Sequence, residues 1–166
     1  MKIKNFLVLF CIALFSCSSN ERYINNKSFY NDPDLFHRSM QKLTDVIVYD
    51  IFSPPVASRI YAYPSIAAYE VLVNNYPNYS SLSGQLHGLS SVPKPDFSKE
   101  YSYQVASIHA FLSVGKDLIF SENQITDFQE TLYQEFKING IPDEIMNRSL
   151  EYGEEVDRKS TRLNSS

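Results

Sequence analysis

The segment of residues 43–72 is the feature that most constrains the fold of this chain. Its thirty residues include only four charged ones, which are Asp45, Asp50, Arg59 and Glu70. Pro54 and Pro55 divide the segment into two apolar halves. Because proline ends one helix readily and fits the first turn of the next, the segment predicts a buried helical hairpin rather than a surface loop.

The first helix of this hairpin is predicted to begin after Asp32, whose side chain can cap the helix before Pro33. Apolar residues then recur at intervals of three and four, as one helical face requires, and the helix is predicted to end at Ser53. These residues are Phe36, Met40, Leu43, Ile47 and Ile51.

The second helix is predicted from Pro55 to about Asn75. Pro64 should kink or divide it, because the proline ring clashes with the preceding turn, and Ser65 could then cap a new helix. Residues 76–95 are rich in Ser, Pro and Gly and predict a long irregular loop.

Two further helices are predicted over residues 99–120 and from Ser121 to Gly140. The second begins with a capping-box pattern, Ser121 to Gln124, and ends at a glycine followed by proline, which is a common helix stop. Another helix is predicted to begin near Pro142. Since no segment alternates with period two, the predicted fold class is all-α, a helical bundle.

Over residues 32–156, and most closely over residues 43–72, the sequence resembles the N-terminal half of secreted bacterial proteins of the type 2 phosphatidic acid phosphatase and vanadium-dependent haloperoxidase superfamily. The resemblance implies that this chain is the incomplete N-terminal part of a larger helical fold. In the complete protein, an oxyanion site would either hydrolyse a phosphomonoester through a histidine intermediate or hold vanadate that activates peroxide.

The catalytic patterns of that superfamily are absent from the sequence. They run Lys-x6-Arg-Pro, Pro-Ser-Gly-His and Ser-Arg-x5-His, and the chain has neither an Arg-Pro pair nor a Pro-Ser-Gly-His segment. Ser58 and Arg59 match the start of the third pattern, but Ser65 stands where the histidine should be. We therefore predict no catalytic residue, no metal ligand and no cofactor in this chain. Its main partner would be the missing C-terminal half of its own protein.

The last ten residues, 157–166, match the conceptual translation of a common short-read sequencing adapter at every position. They read DRKSTRLNSS. We interpret them as foreign to the native sequence, and the alternative is a natural basic, Ser-rich tail.

The N-terminus resembles a bacterial lipoprotein signal. Lys2 and Lys4 precede an apolar run that is too short to span a bilayer, and the run ends at a lipobox-like Leu-Phe-Ser-Cys. Residues 1–16 are the predicted signal peptide, and residues 17–31 a flexible tether. The prediction is an exported protein, anchored to a membrane of the bacterial envelope through lipidated Cys17. The alternatives are a cleaved secretory signal and an uncleaved anchor helix.

The charge balance argues against a nucleic-acid partner. Residues 17–156 contain 10 basic and 18 acidic residues, a formal net charge of −8. A nucleic-acid surface would need a basic stripe instead.

Three charged residues of the hairpin, Asp50, Arg59 and Glu70, form a hypothetical structural ion network. A buried charge without a partner is costly, so Arg59 could bridge Asp50 or Glu70; the equal alternative is that each side chain reaches solvent separately.

The three histidines predict no active site. His37 falls on the polar face of the first helix, His87 lies in the loop, and His109 is expected to be a hydrogen-bonded residue at the edge of the core.

An alternative function remains for the whole chain: a non-enzymatic helical lipoprotein that binds a partner or glycan through the Tyr-rich residues 69–79.

Overall fold

A computed structural model describes Phe29, residues 32–89 and residues 91–160 of the chain, and in this part all regular structure is helical. The predicted all-α fold is therefore confirmed. The signal peptide, Cys17 and nearly all of the predicted tether lie outside the described residues. Five α-helices follow one another, and a short 3-10 helix, Val73–Asn75, extends the second. They are α1 (Pro33–Tyr49), α2 (Pro54–Leu72), α3 (Tyr103–Lys116), α4 (Glu122–Ile138) and α5 (Asp143–Ser160).

The central helix of the bundle is α3, which contacts the other four. Ten of its fourteen residues are buried, so it is apolar around most of its circumference rather than along one stripe. Its largest buried side chain is Phe111, which packs against Phe36 of α1 with ring centroids 5.0 Å apart. A smaller apolar cluster joins α2, α3 and α5 through Ala67, Val71, Ala106, Ala110 and Val156.

The α3–α5 contact is unusually close because of Gly153. A Cβ atom at this position would lie 2.6 Å from the backbone oxygen of Ala106 and 3.1 Å from the ring of His109. Only a residue without a side chain lets the two helices approach this far.

The helix boundaries differ from the predictions at three places. The first helix ends at Tyr49, not at Ser53, so Ile51 lies outside it and is exposed rather than in the core. Pro64 does not divide α2, which is continuous from Pro54 to Leu72. Ser65 does not cap a new helix; its hydroxyl donates to the carbonyl oxygen of Tyr61.

Two segments cross the boundaries predicted for the ends of the domain. Phe29, placed in the tether, packs on the core with its ring 6.3 Å from that of Phe136. Helix α5 runs through Val156 into residues 157–160. No described helix is long and apolar enough to cross a bilayer.

Candidate functional site

The carboxylate of Asp50 joins two turns of the bundle. It accepts hydrogen bonds from the backbone amides of Phe120 and Ser121, at 2.9 and 3.0 Å, and from the Ser121 hydroxyl at 2.6 Å. Partial burial raises the pKa of Asp50, but these donors outweigh it and hold the pKa below its usual value. Asp50 thus binds the start of α4, whereas the predicted capping box had assigned the Ser121 hydroxyl to the helix itself.

The carboxylate of Glu70 fixes the long loop to the end of α2. It is almost fully buried and accepts from the Ser81 hydroxyl and from the Leu82 amide, both at 2.6 Å. Beside it, the Asn74 side-chain amide donates to the Glu70 carbonyl oxygen and to the Tyr152 hydroxyl. The loop is therefore tied to the bundle by a charged side chain that has local partners.

The hypothesis that Arg59 bridges Asp50 or Glu70 is not supported. Both carboxylates are satisfied by amide and hydroxyl donors, and Arg59 is exposed. In the described part of the chain, the ion pairs of arginine residues instead join Arg38 to Glu135 and Arg148 to Glu144. Backbone amides and hydroxyls, rather than a cation, supply the hydrogen bonds of both carboxylates.

A partly buried polar relay links α3 and α4, as expected of a hydrogen-bonded histidine at the edge of the core. The Nδ1 atom of His109 lies 2.6 Å from the Tyr133 hydroxyl, and the Gln129 side-chain amide donates to the same hydroxyl at 3.2 Å. Since Gln129 already donates to Tyr133, we assign the Tyr133 hydroxyl as the donor to Nδ1, which places the ring proton on Nε2.

Burial controls the ionisation of this relay. It lowers the pKa of His109 to about 4, which outweighs the opposing attraction of Glu154, and Lys116 lowers it further. Burial also raises the pKa of Tyr133, against the hydrogen bond from Gln129. The histidine is therefore neutral at pH 7. His37 and His87 are exposed and separate from this relay.

Described residues line two surface grooves of interest. One, of about 650 Å³ between α4 and α5, carries Asp127 and Glu130 against a single lysine, Lys137, so its charge does not suit an anion. The other, of about 230 Å³, is apolar and aromatic. It is lined by Tyr69, Leu72, Val73, Tyr76 and Tyr79, which include the Tyr-rich residues that the sequence singled out.

Three cationic side chains in the described ranges bind carboxylates or a carbonyl oxygen of the chain itself. An oxyanion needs several converging cationic donors, but Arg38 is held in a two-point contact with Glu135, and Arg148 binds Glu144 and the Glu100 carbonyl oxygen. Lys99 pairs with Asp96. Across these ranges, no three His, Cys, Asp or Glu side chains are grouped to hold a metal ion.

One feature was missed by the sequence reasoning, a cluster of exposed apolar side chains where the α1–α2 turn meets the α3–α4 turn. We call this cluster the apolar tip; it comprises Val48, Tyr49, Ile51, Val56 and Phe120. The ring of Phe120 stacks on that of Phe52 with centroids 4.9 Å apart. The hydrogen bonds of Asp50 to Phe120 and Ser121 link the two turns that carry the tip.

Comparison with solved structures identifies a related protein. A crystal structure of a bacterial vanadium-dependent iodoperoxidase matches this chain with a TM-score of 0.75 and 37% sequence identity, over 80% of this chain. The match covers 32% of that protein, so the chain spans about a third of its length. Comparisons with protein-family profiles and with curated proteins give no match.

The helical fold and this similarity together define the class of the chain. It has a helical haloperoxidase-like fold and is related to the superfamily of vanadium-dependent haloperoxidases and type 2 phosphatidic acid phosphatases, as the sequence resemblance predicted.

Proposed function

We propose that this chain is the N-terminal helical part of an exported, lipid-anchored protein of the vanadium-dependent haloperoxidase and acid phosphatase type. The observation that carries the proposal is the similarity to the iodoperoxidase, with 37% identity over most of this chain but only 32% of the other. The catalytic patterns of the superfamily would then lie in sequence that follows Val156, which is also where the adapter-like residues begin.

In this proposal the chain has a structural role and no turnover of its own. Arg38 and Arg148 are engaged by Glu135 and Glu144, and His109 is hydrogen-bonded to Tyr133, so these three side chains supply no free oxyanion donor or nucleophile. The complete protein would bind vanadate or a phosphomonoester through residues outside this chain.

Sequencing the source locus with long reads through the codon of Val156 tests the proposal directly. We expect the reading frame to continue into Lys-x6-Arg-Pro, Pro-Ser-Gly-His and Ser-Arg-x5-His. A frame that truly encodes DRKSTRLNSS followed by a stop codon would refute the proposal.

An activity measurement tests the division of roles. The 166-residue chain, assayed with vanadate, peroxide and iodide, and separately with a phosphomonoester, should show no turnover, while the complete protein should show one of the two activities. Turnover by the shorter chain would contradict its structural role.

Anchoring is tested separately by following the chain in a bacterial host. Wild-type protein should incorporate labelled palmitate and sediment with membranes, and Cys17→Ser should lose both properties. Cys11→Ser is the matched control, because Cys11 lies within the predicted signal peptide. Unchanged lipid incorporation in Cys17→Ser would disprove anchoring at this residue.

A second candidate function is favoured by the aromatic groove at the end of α2. There the exposed rings of Tyr76 and Tyr79 lie 6.2 Å apart at an angle of 81°, beside an apolar floor. Such a surface suits a partner side chain or a sugar ring. If the frame ends at Ser166, this binding function becomes the leading one; loss of glycan-array binding on Tyr76→Ala, with Tyr49→Ala as control, would support it.

A further inference from the structure

The apolar tip combines two features that are unfavourable in an isolated domain. Ile51 is 88% exposed and Phe120 is 78% exposed, although both are large apolar residues. Ile51 also has φ = +57°, a left-handed conformation that a β-branched residue rarely adopts. Exposed apolar area and backbone strain at the same residue are typical of contact sites.

The strain at Ile51 is imposed by a complete helix-stop motif. The Phe52 amide donates to the Ile47 carbonyl oxygen and the Ile51 amide to that of Val48, both at 3.2 Å, which is the hydrogen-bond pattern of a Schellman motif. Glycine is the usual residue at this left-handed position. Isoleucine there directs a large apolar side chain outward from a rigid turn.

The tip is also rigidly held, as a docking surface should be. The three hydrogen bonds of Asp50 join the α1–α2 turn to the α3–α4 turn, and the stacked rings of Phe52 and Phe120 reinforce this link. Five of the nine large apolar residues exposed in the described part of the chain belong to this one surface.

We propose that the apolar tip is the surface on which the C-terminal helices of the complete protein dock, with Ile51 as the central anchor. This inference rests on the proposed function, since the occupant is the part of the chain that follows Val156. The related iodoperoxidase has about two thirds of its length outside the match, so the complete protein of our proposal has a large remainder available to pack against these helices. Helices of a bundle pack through apolar faces, which is the chemistry that the tip offers.

The test compares thiol labelling at two exposed isoleucines. Ile51→Cys and Ile138→Cys are made in a Cys11→Ser, Cys17→Ser background, both in the 166-residue chain and in the complete protein. Ile138 is the matched control because it is 82% exposed and lies on α4, outside the tip. In the shorter chain both thiols should react with a maleimide at similar rates. In the complete protein, the thiol at position 51 should react at least about tenfold more slowly, since docking leaves only transient openings for the reagent.

Each other outcome has a distinct meaning. Equal labelling of both positions in a complete, catalytically active protein overturns the docking proposal and leaves the proposed function intact. A source frame without the catalytic patterns refutes the proposed function, and the docking proposal with it. Protection of position 51 in the shorter chain that increases with protein concentration shows that a second copy is the occupant, which also overturns the proposal. If Ile51→Cys prevents folding, Val48→Cys gives the same readout from a regular helical position.

Discussion

The turn after α1 and the turn after α4 use the same hydrogen bonds but place very different residues in the left-handed position. At Gly140, φ is +85°, the Gly140 amide donates to Lys137 and the Ile141 amide to Phe136. Ile51 occupies the equivalent position of the first turn. The motif therefore does not require glycine. At the first turn, the tertiary hydrogen bonds of Asp50 hold the backbone in place although Ile51 is strained.

The difference extends from the turns to their surroundings. The apolar tip around Ile51 is exposed and tied together by a carboxylate at the surface. The interface of α3 with α5 and α4 is buried, with Gly153 against Ala106 and His109 against Tyr133. Substitutions should therefore act through packing and desolvation at the interface, and through backbone strain and the hydrogen bonds of Asp50 at the tip.

The largest effect is expected at the interface when the pH falls. Burial lowers the pKa of His109 to about 4 from its ordinary 6.5, so the unfolded chain binds a proton over this range that the folded chain does not. His109 therefore costs no stability above pH 6.5. As the pH falls from 6.5 to 4, it lowers the free energy of unfolding by about 3 kcal/mol. His109→Gln should remove this part of the pH dependence of urea unfolding. Its control is His37→Gln, an exposed position; identical pH profiles for wild type and His109→Gln would contradict the assignment.

The next effect concerns the close approach of α5 to α3. Gly153→Ala should lower the free energy of unfolding by about 2 kcal/mol, because its Cβ would meet backbone that cannot move aside. Gly115→Ala is the matched control in a helix, since its Cβ would meet side-chain methyl groups of Leu43, at 3.1 and 3.3 Å, rather than backbone. Equal losses in urea unfolding would show that backbone contact is not what distinguishes Gly153.

At the tip, Asp50→Ala should cost about 1.5 kcal/mol, the size of effect typical for loss of hydrogen bonds to a charged group. The control is Asp50→Asn, which keeps a side-chain acceptor and should lose less. Because hydrogen bonding lowers the pKa of Asp50, its contribution is present above the carboxyl's ordinary pKa and is lost as the pH falls below it. A smaller loss of stability in Asp50→Ala than in Asp50→Asn would argue against this role of the carboxylate.

The smallest effect compares the two turns directly. Ile51→Gly should stabilise the 166-residue chain by about 1 kcal/mol through relief of left-handed strain, while Gly140→Ala should destabilise it by about the same amount. Ile51→Ala tests the cause, because alanine keeps most of the strain and should give little gain. Urea midpoints at constant m-values measure all three, and a destabilising Ile51→Gly would show that the turn is not strained.

Local sequence rules predicted much of the fold. The cap at Asp32, the prolines after Ser53 and the stop at Gly140 all lie where expected, because they act on neighbouring backbone. The edge position of His109 also followed from its apolar neighbours. The same rules wrongly allowed for a helix break at Pro64 and placed Ile51 within a helix. A proline in a packed helix need not break it, and an apolar residue at a helical interval need not belong to the helix.

The partners of the charged residues were beyond prediction from local rules. Asp50 finds its donors 70 and 71 residues away, and Glu70 finds its own across a loop closure. Whether Arg59 or these amides bind the two carboxylates depends on which groups the fold brings within hydrogen-bond distance. Sequence spacing does not reveal this.

The sequence by itself determined the helical class, the main helix stops and the resemblance to the haloperoxidase superfamily. Only the tertiary structure decided that α3 lies at the centre of the bundle, that Asp50 and Glu70 bind amides and hydroxyls instead of Arg59, and that Ile51 stands exposed at the apolar tip. The physical reason is range: helix propensity and capping act over about four residues, whereas burial and carboxylate pairing depend on segments far apart in the chain.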